Sequence, residues 1–388
     1  MEQRTIRNSS VEALKIFGLF SIVVSHVVLT LGTGGNTYVP FDGYVIDLSQ
    51  ATNNIQHLIA SMLRYGGEFG NTVFFICSAW FFISYGGTTN KKKILSMLVD
   101  VWIVSVLILA VVLVCNGGNI KGTLVLQSLF PTSFENNWYI TCYIVFYIIH
   151  PLLNKVVFSL KQKTLIRLNV LAIVMYFFIA FVCRLTQYMF GSGTEFFSSR
   201  LVMWTVVYFI LAYMKLYAVE LTSKKAINAG LICFGVIGNC GLILLTNLIG
   251  LKFGAFAEAL QIWIVPYNPF LIALGIGLLG LARSISFENR IINYISRLSL
   301  LIYIIHENKL LRLLYRPAMW QYVYEKFGYE HILCWIIVLS VGVFIFALVC
   351  SIIYYETIRK LTLKACNWIY RRIATMWNHI EKQVLKIT

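Results

Sequence analysis

The sequence predicts an all-α fold, a polytopic membrane helix bundle of about ten transmembrane helices. Three observations carry that reading: the hydrophobic content, the recurrence of long apolar runs, and the alternation of basic residues between them. Of 388 residues, 59% are hydrophobic and only 12% are charged, more apolar surface than a water-soluble globule can hide, so lipid is the natural solvent. The runs recur from residue 13 to residue 355 without a long polar stretch between them. That predicts one membrane domain over residues 1–355 and a basic tail over 356–388.

A bilayer core needs roughly 20 apolar residues of helix. The first run, Ala13 to Leu31, is long enough to span and is followed by no small-residue cleavage site, so it reads as a helix and not as a signal peptide. Further spans centre near residues 78, 105, 147, 176, 209, 238, 271, 306 and 343. The second carries Ser78 and Ser84, and the ninth carries His306, Glu307, Asn308 and Lys309. Polar groups at depth are costly, so these two helices should face a cavity or other helices. The longest outer connections are Gly32 to Gly70 and Asn116 to Asn137. The first contains Gly32, Gly34, Gly35, Asn36, Pro40 and Asp42, the composition of a turn-rich loop, facing substrate or simply solvent.

The basic residues test this count. One set of loops and tails holds Arg4, Arg7, Lys91, Lys92, Lys93, Lys155, Lys161, Lys163, Arg167, Lys215, Lys224, Lys225, Arg283, Arg290, Arg297, Arg359, Lys360, Lys364, Arg371, Arg372, Lys382 and Lys386. The alternate loops hold only Arg64, Lys121, Arg184, Arg200, Lys252, Arg312, Arg316 and Lys326. Positive residues collect on the cytoplasmic side, so both termini should be cytoplasmic and the number of spans even. The same spread accounts for a net charge of +16 through contact with anionic lipid headgroups. It forms no compact patch of the kind that binds nucleic acid. Beyond Glu356, Ile358, Leu361, Ile369, Ile373, Trp377, Ile380 and Val384 recur at near-helical spacing. They predict an amphipathic helix on the leaflet or under the bundle.

The nine cysteines are scattered through apolar runs with no C-x-x-C, as expected of small packing residues. There is no H-E-x-x-H, no glycine-rich phosphate loop, no G-x-S-x-G and no carboxylate cluster for a metal. His57 and His331 read as loop or helix-end residues, His150 precedes Pro151 at a helix end, and His379 lies in the tail.

The sharpest chemical signal is in the first helix, where Glu12, Lys15 and His26 interrupt an apolar stretch. Spacings of eleven and fourteen residues are close to whole helical turns, which places all three on one face, with His26 roughly 16 Å deeper than Lys15 at about 1.5 Å per residue. Imidazole ordinarily titrates near pH 6.5, so it can take a proton from a hydroxyl and return one to a leaving thiolate. A cation at the helix mouth suits the phosphates of an acyl carrier. A histidine satisfied by a neighbouring helix is the structural alternative. His306 and Glu307 form a second ionisable cluster, which either orients a substrate or the His26 imidazole across a cavity or caps a polar bundle interior near the ninth helix. Ser78 either lines the same cavity or bonds back to its own helix, and Trp138 is either a sugar-stacking surface or part of an interfacial aromatic belt.

Across essentially its whole length the chain resembles acyltransferase family 3, membrane enzymes that O-acylate bacterial polysaccharides and related glycans. The family has an acidic residue, an arginine and, after ten residues, a histidine in its first helix; Glu12, Lys15 and His26 fall on those positions. Asn71-Thr-Val-Phe-Phe-Ile-Cys-Ser-Ala-Trp80 is similar to its Phe-Phe-x-x-Ser-Gly segment, Trp138 through Asn154 to its Trp-Phe…Tyr…Pro-Leu-Leu helix, and Ser299 through Glu307 to its Tyr-Leu-x-His helix. Two positions depart from the pattern: Lys15 stands where the family has arginine, and Ala79 where it has glycine. The resemblance implies ten helices, His26 as catalytic base or transient acyl carrier, Lys15 as its helper at the cytoplasmic end, with Glu12 orienting it, and a bacterial cytoplasmic membrane. His306, Glu307, Ser78 and Trp138 are the candidate substrate-binding residues. The expected reaction moves an acyl group, acetyl first, from acetyl-CoA to a sugar hydroxyl of a glycan or its lipid-linked precursor, with no tightly bound cofactor and no metal. The rival is a transporter or flippase, to which Pro266 and Pro269 in the eighth helix give some footing.

Overall fold

The computed structural model describes residues 8–29, 55–132, 137–190, 200–250, 253, 268–328 and 330–384. Every regular element among them is helical: α1 Ser9–Leu29, α2 Ile55–Arg64, α3 Gly66–Phe82, α4 Lys91–Cys115, α5 Gly122–Leu129, α6 Trp138–Ser159, α7 Gln162–Ile173 with the π-helical Val174–Ile179 running into α8 Ala180–Phe190, α9 Arg200–Tyr217, α10 Val219–Ser223, α11 Lys225–Gly250, α12 Pro269–Ser284, α13 Arg290–Arg297, α14 Ser299–His306, the π-helical Leu311–Tyr315, α15 Arg316–Phe327, α16 Ile332–Thr357 and α17 Arg359–Val384. Among the described residues, seven helical stretches are long and apolar enough to cross a bilayer. They match the spans expected near residues 22, 105, 147, 176, 209, 238 and 343. The segments near 78 and 271 form shorter apolar helices of 17 and 16 residues. The segment near 306 is not one helix. Most of the turn-rich loop after Gly32 lies outside the described residues, as does Pro266.

Asparagines start several of these helices. Asn90 accepts from the Lys93 amide, Asn268 from Phe270 and Leu271, and Asn289 from Ile291 and Ile292, each satisfying donors that the first helical turn cannot. Pro269 sits in the first turn of α12, where its missing N–H costs nothing, so it starts a helix and does not interrupt one. Pro151 is different, because it lies inside α6 and frees the Tyr147 carbonyl. Nδ1 of His150 lies 2.6 Å from that carbonyl, and the Thr89 hydroxyl donates to it at 3.2 Å. His150 is thus a buried mid-helix residue and not the helix-end residue expected; the proline it precedes lies within the helix without ending it.

α1 is central, packing against α2, α3, α12, α13, α14 and α16. Its closest neighbour is α3. A Cβ added at Gly18 would meet the Gly70 carbonyl at 3.2 Å, and small residues at a helix crossing let backbones approach this closely without water between them. Around the crossing lies the main core, with Phe75 stacked on Trp204 at 4.4 Å between centroids and edge-on to Phe146. None of the nine cysteines forms a disulfide. The tail helix α17 packs under α4 and α16, burying Thr362 and Cys366 and leaving Leu361, Trp368 and Ile373 exposed.

Candidate functional site

Two helix C-termini converge here. His26 lies in the last turn of α1 and His306 is the last residue of α14. α14 stops there because Asn308 turns its side chain onto the Leu310 amide at 3.0 Å, a local bond that competes with continuing the helix. The last turns of α1 and α14 leave carbonyls without helical partners. α15 supplies them: Arg316 donates to the His306 carbonyl and, at 3.3 Å, to that of His26, while Trp320 Nε1 donates to Val27 at 2.9 Å. Cations at helix C-termini are favoured by the helix dipole as well. One guanidinium thereby ties together the two helices that carry the histidines.

Below the break, the side chains form a connected set. Nδ1 of His306 meets the Ile302 carbonyl at 2.9 Å, so it carries the proton and leaves the lone pair on Nε2. That Nε2 faces Nδ1 of His26 at 3.2 Å, and the two rings stack with centroids 5.3 Å apart. Nδ1 of His26 is also 2.7 Å from Oε2 of Glu307. With two acceptors before it, His26 Nδ1 carries the proton and Nε2 carries the basic lone pair. Glu307 is buried and pairs in addition with Arg312 at 2.5 Å and Arg316 at 3.8 Å.

His26, His306 and Glu307 offer three metal-donor atoms within 4.8 Å of one another, a grouping that sequence spacing did not reveal. The chemistry of the set fits a cation poorly. Glu307 already meets two guanidinium groups, and a dication beside Arg312 and Arg316 would add repulsion in a low-dielectric interior.

A polar cavity of about 260 Å³ opens on His26, lined also by Arg64, Glu68, Trp138, Arg200 and Tyr303. Arg200 pairs with Glu68 at 2.8 Å and stacks over the Trp138 ring at 4.0 Å from its centroid. Trp138 therefore belongs to the cavity, with one face taken by Arg200. Ser78 is buried and is not among the residues that line it.

Glu12 and Lys15 form a separate group at the other end of α1. They pair at 3.6 Å, the Ser296 hydroxyl donates to Glu12, and Lys15 lies over the Phe81 ring. Close by, Lys215 donates to the carbonyls of Trp80 and Ile83 at 2.7 Å each, capping α3, and Arg283 stacks on Trp80 at 4.3 Å. Ala79, in the glycine position, is fully buried here in the main core.

Sequence reasoning missed Arg64, Arg200, Arg312 and Arg316. The signal was present, since these are four of the eight basic residues on the sparsely charged side. Four cations kept where the charge rule removes them were candidates for a site.

No curated protein and no solved structure matches the chain significantly. A family model described as an acyltransferase domain matches residues 8–355, and the chain belongs to acyltransferase family 3.

Proposed function

We propose that His26 is the general base of an O-acyl transfer from acyl-CoA to a hydroxyl of a cell-surface glycan or its lipid-linked precursor. The observation that carries this is the 2.7 Å contact between His26 Nδ1 and Glu307. A base oriented by a buried carboxylate is the arrangement that activates a hydroxyl nucleophile. The acceptor hydroxyl gives its proton to His26 Nε2 as its oxygen forms a bond to the thioester carbonyl carbon. The C–S bond then breaks, and the departing thiolate takes the proton back from His26. Glu307 holds the ring and offsets the imidazolium charge between those steps. His306 accepts from the same Nδ1 and keeps the ring from turning.

The polar cavity suits a sugar, with Arg64, Glu68 and Arg200 for hydroxyl groups and Trp138 at its edge. The cations at the opposite end of α1, led by Lys15 with Glu12 orienting it, suit the phosphates of coenzyme A. We place that end and both termini on the cytoplasmic side of a bacterial cell membrane, with lipids around the bundle. No bound cofactor is needed for this chemistry. The helix break after α14 is a feature a solute carrier would share; against that reading stands the family, and Arg316 already occupies the freed carbonyl at the break.

The test is transfer of labelled acetyl from acetyl-CoA to the glycan fraction of membranes containing the protein, beside a His26→Ala variant at equal abundance. Labelling by the wild type alone supports the proposal. No labelling by either, together with solute uptake that depends on His26, refutes it.

A further inference from the structure

The polar cavity that opens on His26 is unevenly charged. Two arginines line it, and one of them is neutralised: Arg200 pairs with Glu68 at 2.8 Å. The guanidinium of Arg64 lies over the Tyr65 ring, 5.7 Å from its centroid, and meets no carboxylate among the described residues. Arg64 is fastened beside the base, because its backbone carbonyl accepts from the hydroxyl of Ser25, the residue before His26. A second group on the wall is unmatched as well. Asn71 is 9% exposed and lines the same cavity, and its side-chain Oδ1 accepts no hydrogen bond among the described residues. A buried acceptor without a donor is costly, and a bound donor removes that cost.

We infer that the acceptor sugar is acidic: it carries an anionic group, carboxylate or phosphate, that Arg64 grips, and a hydroxyl that donates to Asn71. The inference rests on His26 being the base. A neutral sugar satisfies Asn71 but leaves the charge of Arg64 uncompensated. Beside the rings of Tyr65, Trp138 and Tyr303, where water is partly displaced, attraction between opposite charges is stronger than in bulk water. A guanidinium also offers parallel N–H groups that match the oxygens of a carboxylate or a phosphate. The phosphates of the acyl donor do not reach this cation, because the pantetheine arm separates them from the thioester carbon, which must lie beside His26. Arg64 has a structural use too, since it ends α2 and a cation there offsets the helix dipole. That use accounts neither for its place on the cavity wall nor for the open acceptor of Asn71 on the same wall.

The experiment transfers labelled acetyl from acetyl-CoA to the glycan fraction of membranes holding wild type, Arg64→Gln or Arg64→Lys at equal abundance. Tandem mass spectrometry then identifies the sugar residue that carries the label, and thermal melting of each purified variant checks folding. The label from wild type should lie on a residue with the mass of a uronic or other sugar acid, or of a sugar phosphate, and the mass tells the two anions apart. Arg64→Gln should slow transfer at limiting glycan by ~10-fold or more, the scale of a charge-assisted hydrogen bond, with the KM for acetyl-CoA unchanged. Arg64→Lys, which keeps the charge without the fork, should fall between the two. Label on a neutral sugar residue overturns the inference. So does an Arg64→Gln protein that works as fast as wild type at limiting glycan, or one that melts early and is rescued in melting but not in rate by lysine, which would leave Arg64 as the cap of α2. Transfer to no glycan by wild type is a separate failure, that of the acyltransferase reading of His26 itself.

Discussion

Arg316 joins two helix ends that lie 280 residues apart, donating from one guanidinium to the backbone carbonyls of His26 and His306. The side chain is 5% exposed, so water cannot replace it. Lysine at this position keeps the charge but has no planar fork to reach two carbonyls and Glu307 together. Arg316→Lys should cost about 3 kcal/mol, the scale of one or two buried charge-assisted hydrogen bonds. It should also lower acyl transfer, because the histidines lose their common anchor. Thermal melting of the purified variant checks the first effect; unchanged melting would mean that the clamp is dispensable.

Glu307→Gln tests the carboxylate without changing its size. The amide oxygen still accepts from His26 Nδ1, so ring orientation survives, while the negative charge facing the developing imidazolium is gone. The expected outcome is a fall in kcat of ~10-fold or more with little change in KM, the pattern of an interaction made in the transition state alone. Titrating acyl-CoA with matched amounts of wild type and variant separates the two constants. A rise in KM at constant kcat would move Glu307 from the base to the substrate.

Helix positions and the His26 signal were legible in the sequence, because apolar periodicity and the isolation of Glu12, Lys15 and His26 in lipid-soluble surroundings are local properties. The contact of His26 with Glu307 was legible only in outline: the ionisable pair at 306 and 307 could be read as orienting the imidazole, but nothing local showed that the two would touch. Two residues separated by 281 positions meet only through the packing of α1 on α14, and that packing depends on a helix break at Asn308 that a hydrophobic window averages away. Ser78 illustrates the reverse case: its place in a family-like segment suggested a cavity, yet it is buried away from the one that opens on His26. The four arginines kept on the sparsely charged side lie at the site, two lining the cavity and two pairing with Glu307.

Chelation discriminates proton transfer from metal-assisted transfer. His26, His306 and Glu307 are close enough to share an ion, but the pairing of Glu307 with Arg312 and Arg316 supplies the positive charge that an ion would bring. Membranes treated with EDTA and washed should retain acyl transfer within about twofold, and added Zn²⁺ should not raise it, since hydrogen-bond and guanidinium contacts need no ligand exchange. Activity lost to EDTA and restored by one divalent metal would assign the cluster to that metal.

Asp100 fastens the tail helix to the bundle. It is 2% exposed on α4, accepts from the Tyr354 hydroxyl at 2.8 Å and pairs with Arg359 at 3.3 Å, at the start of α17. Asp100→Asn keeps the bond from Tyr354 and removes the charge facing Arg359. Because Arg359 is 26% exposed, water takes over part of the lost interaction, and the cost should be about 1 kcal/mol, well below that of breaking a fully buried pair. The loss falls on the junction between α16 and α17 and leaves the histidine pair untouched. Limited trypsin digestion should therefore cut the variant faster at Arg371 and Arg372, two exposed sites along α17, while acyl transfer stays near the wild-type rate. Cleavage at the wild-type rate would show that the packing of Thr362 and Cys366 alone holds the tail; a parallel loss of transfer would show instead that α17 is coupled through α4 to α14 and its His306.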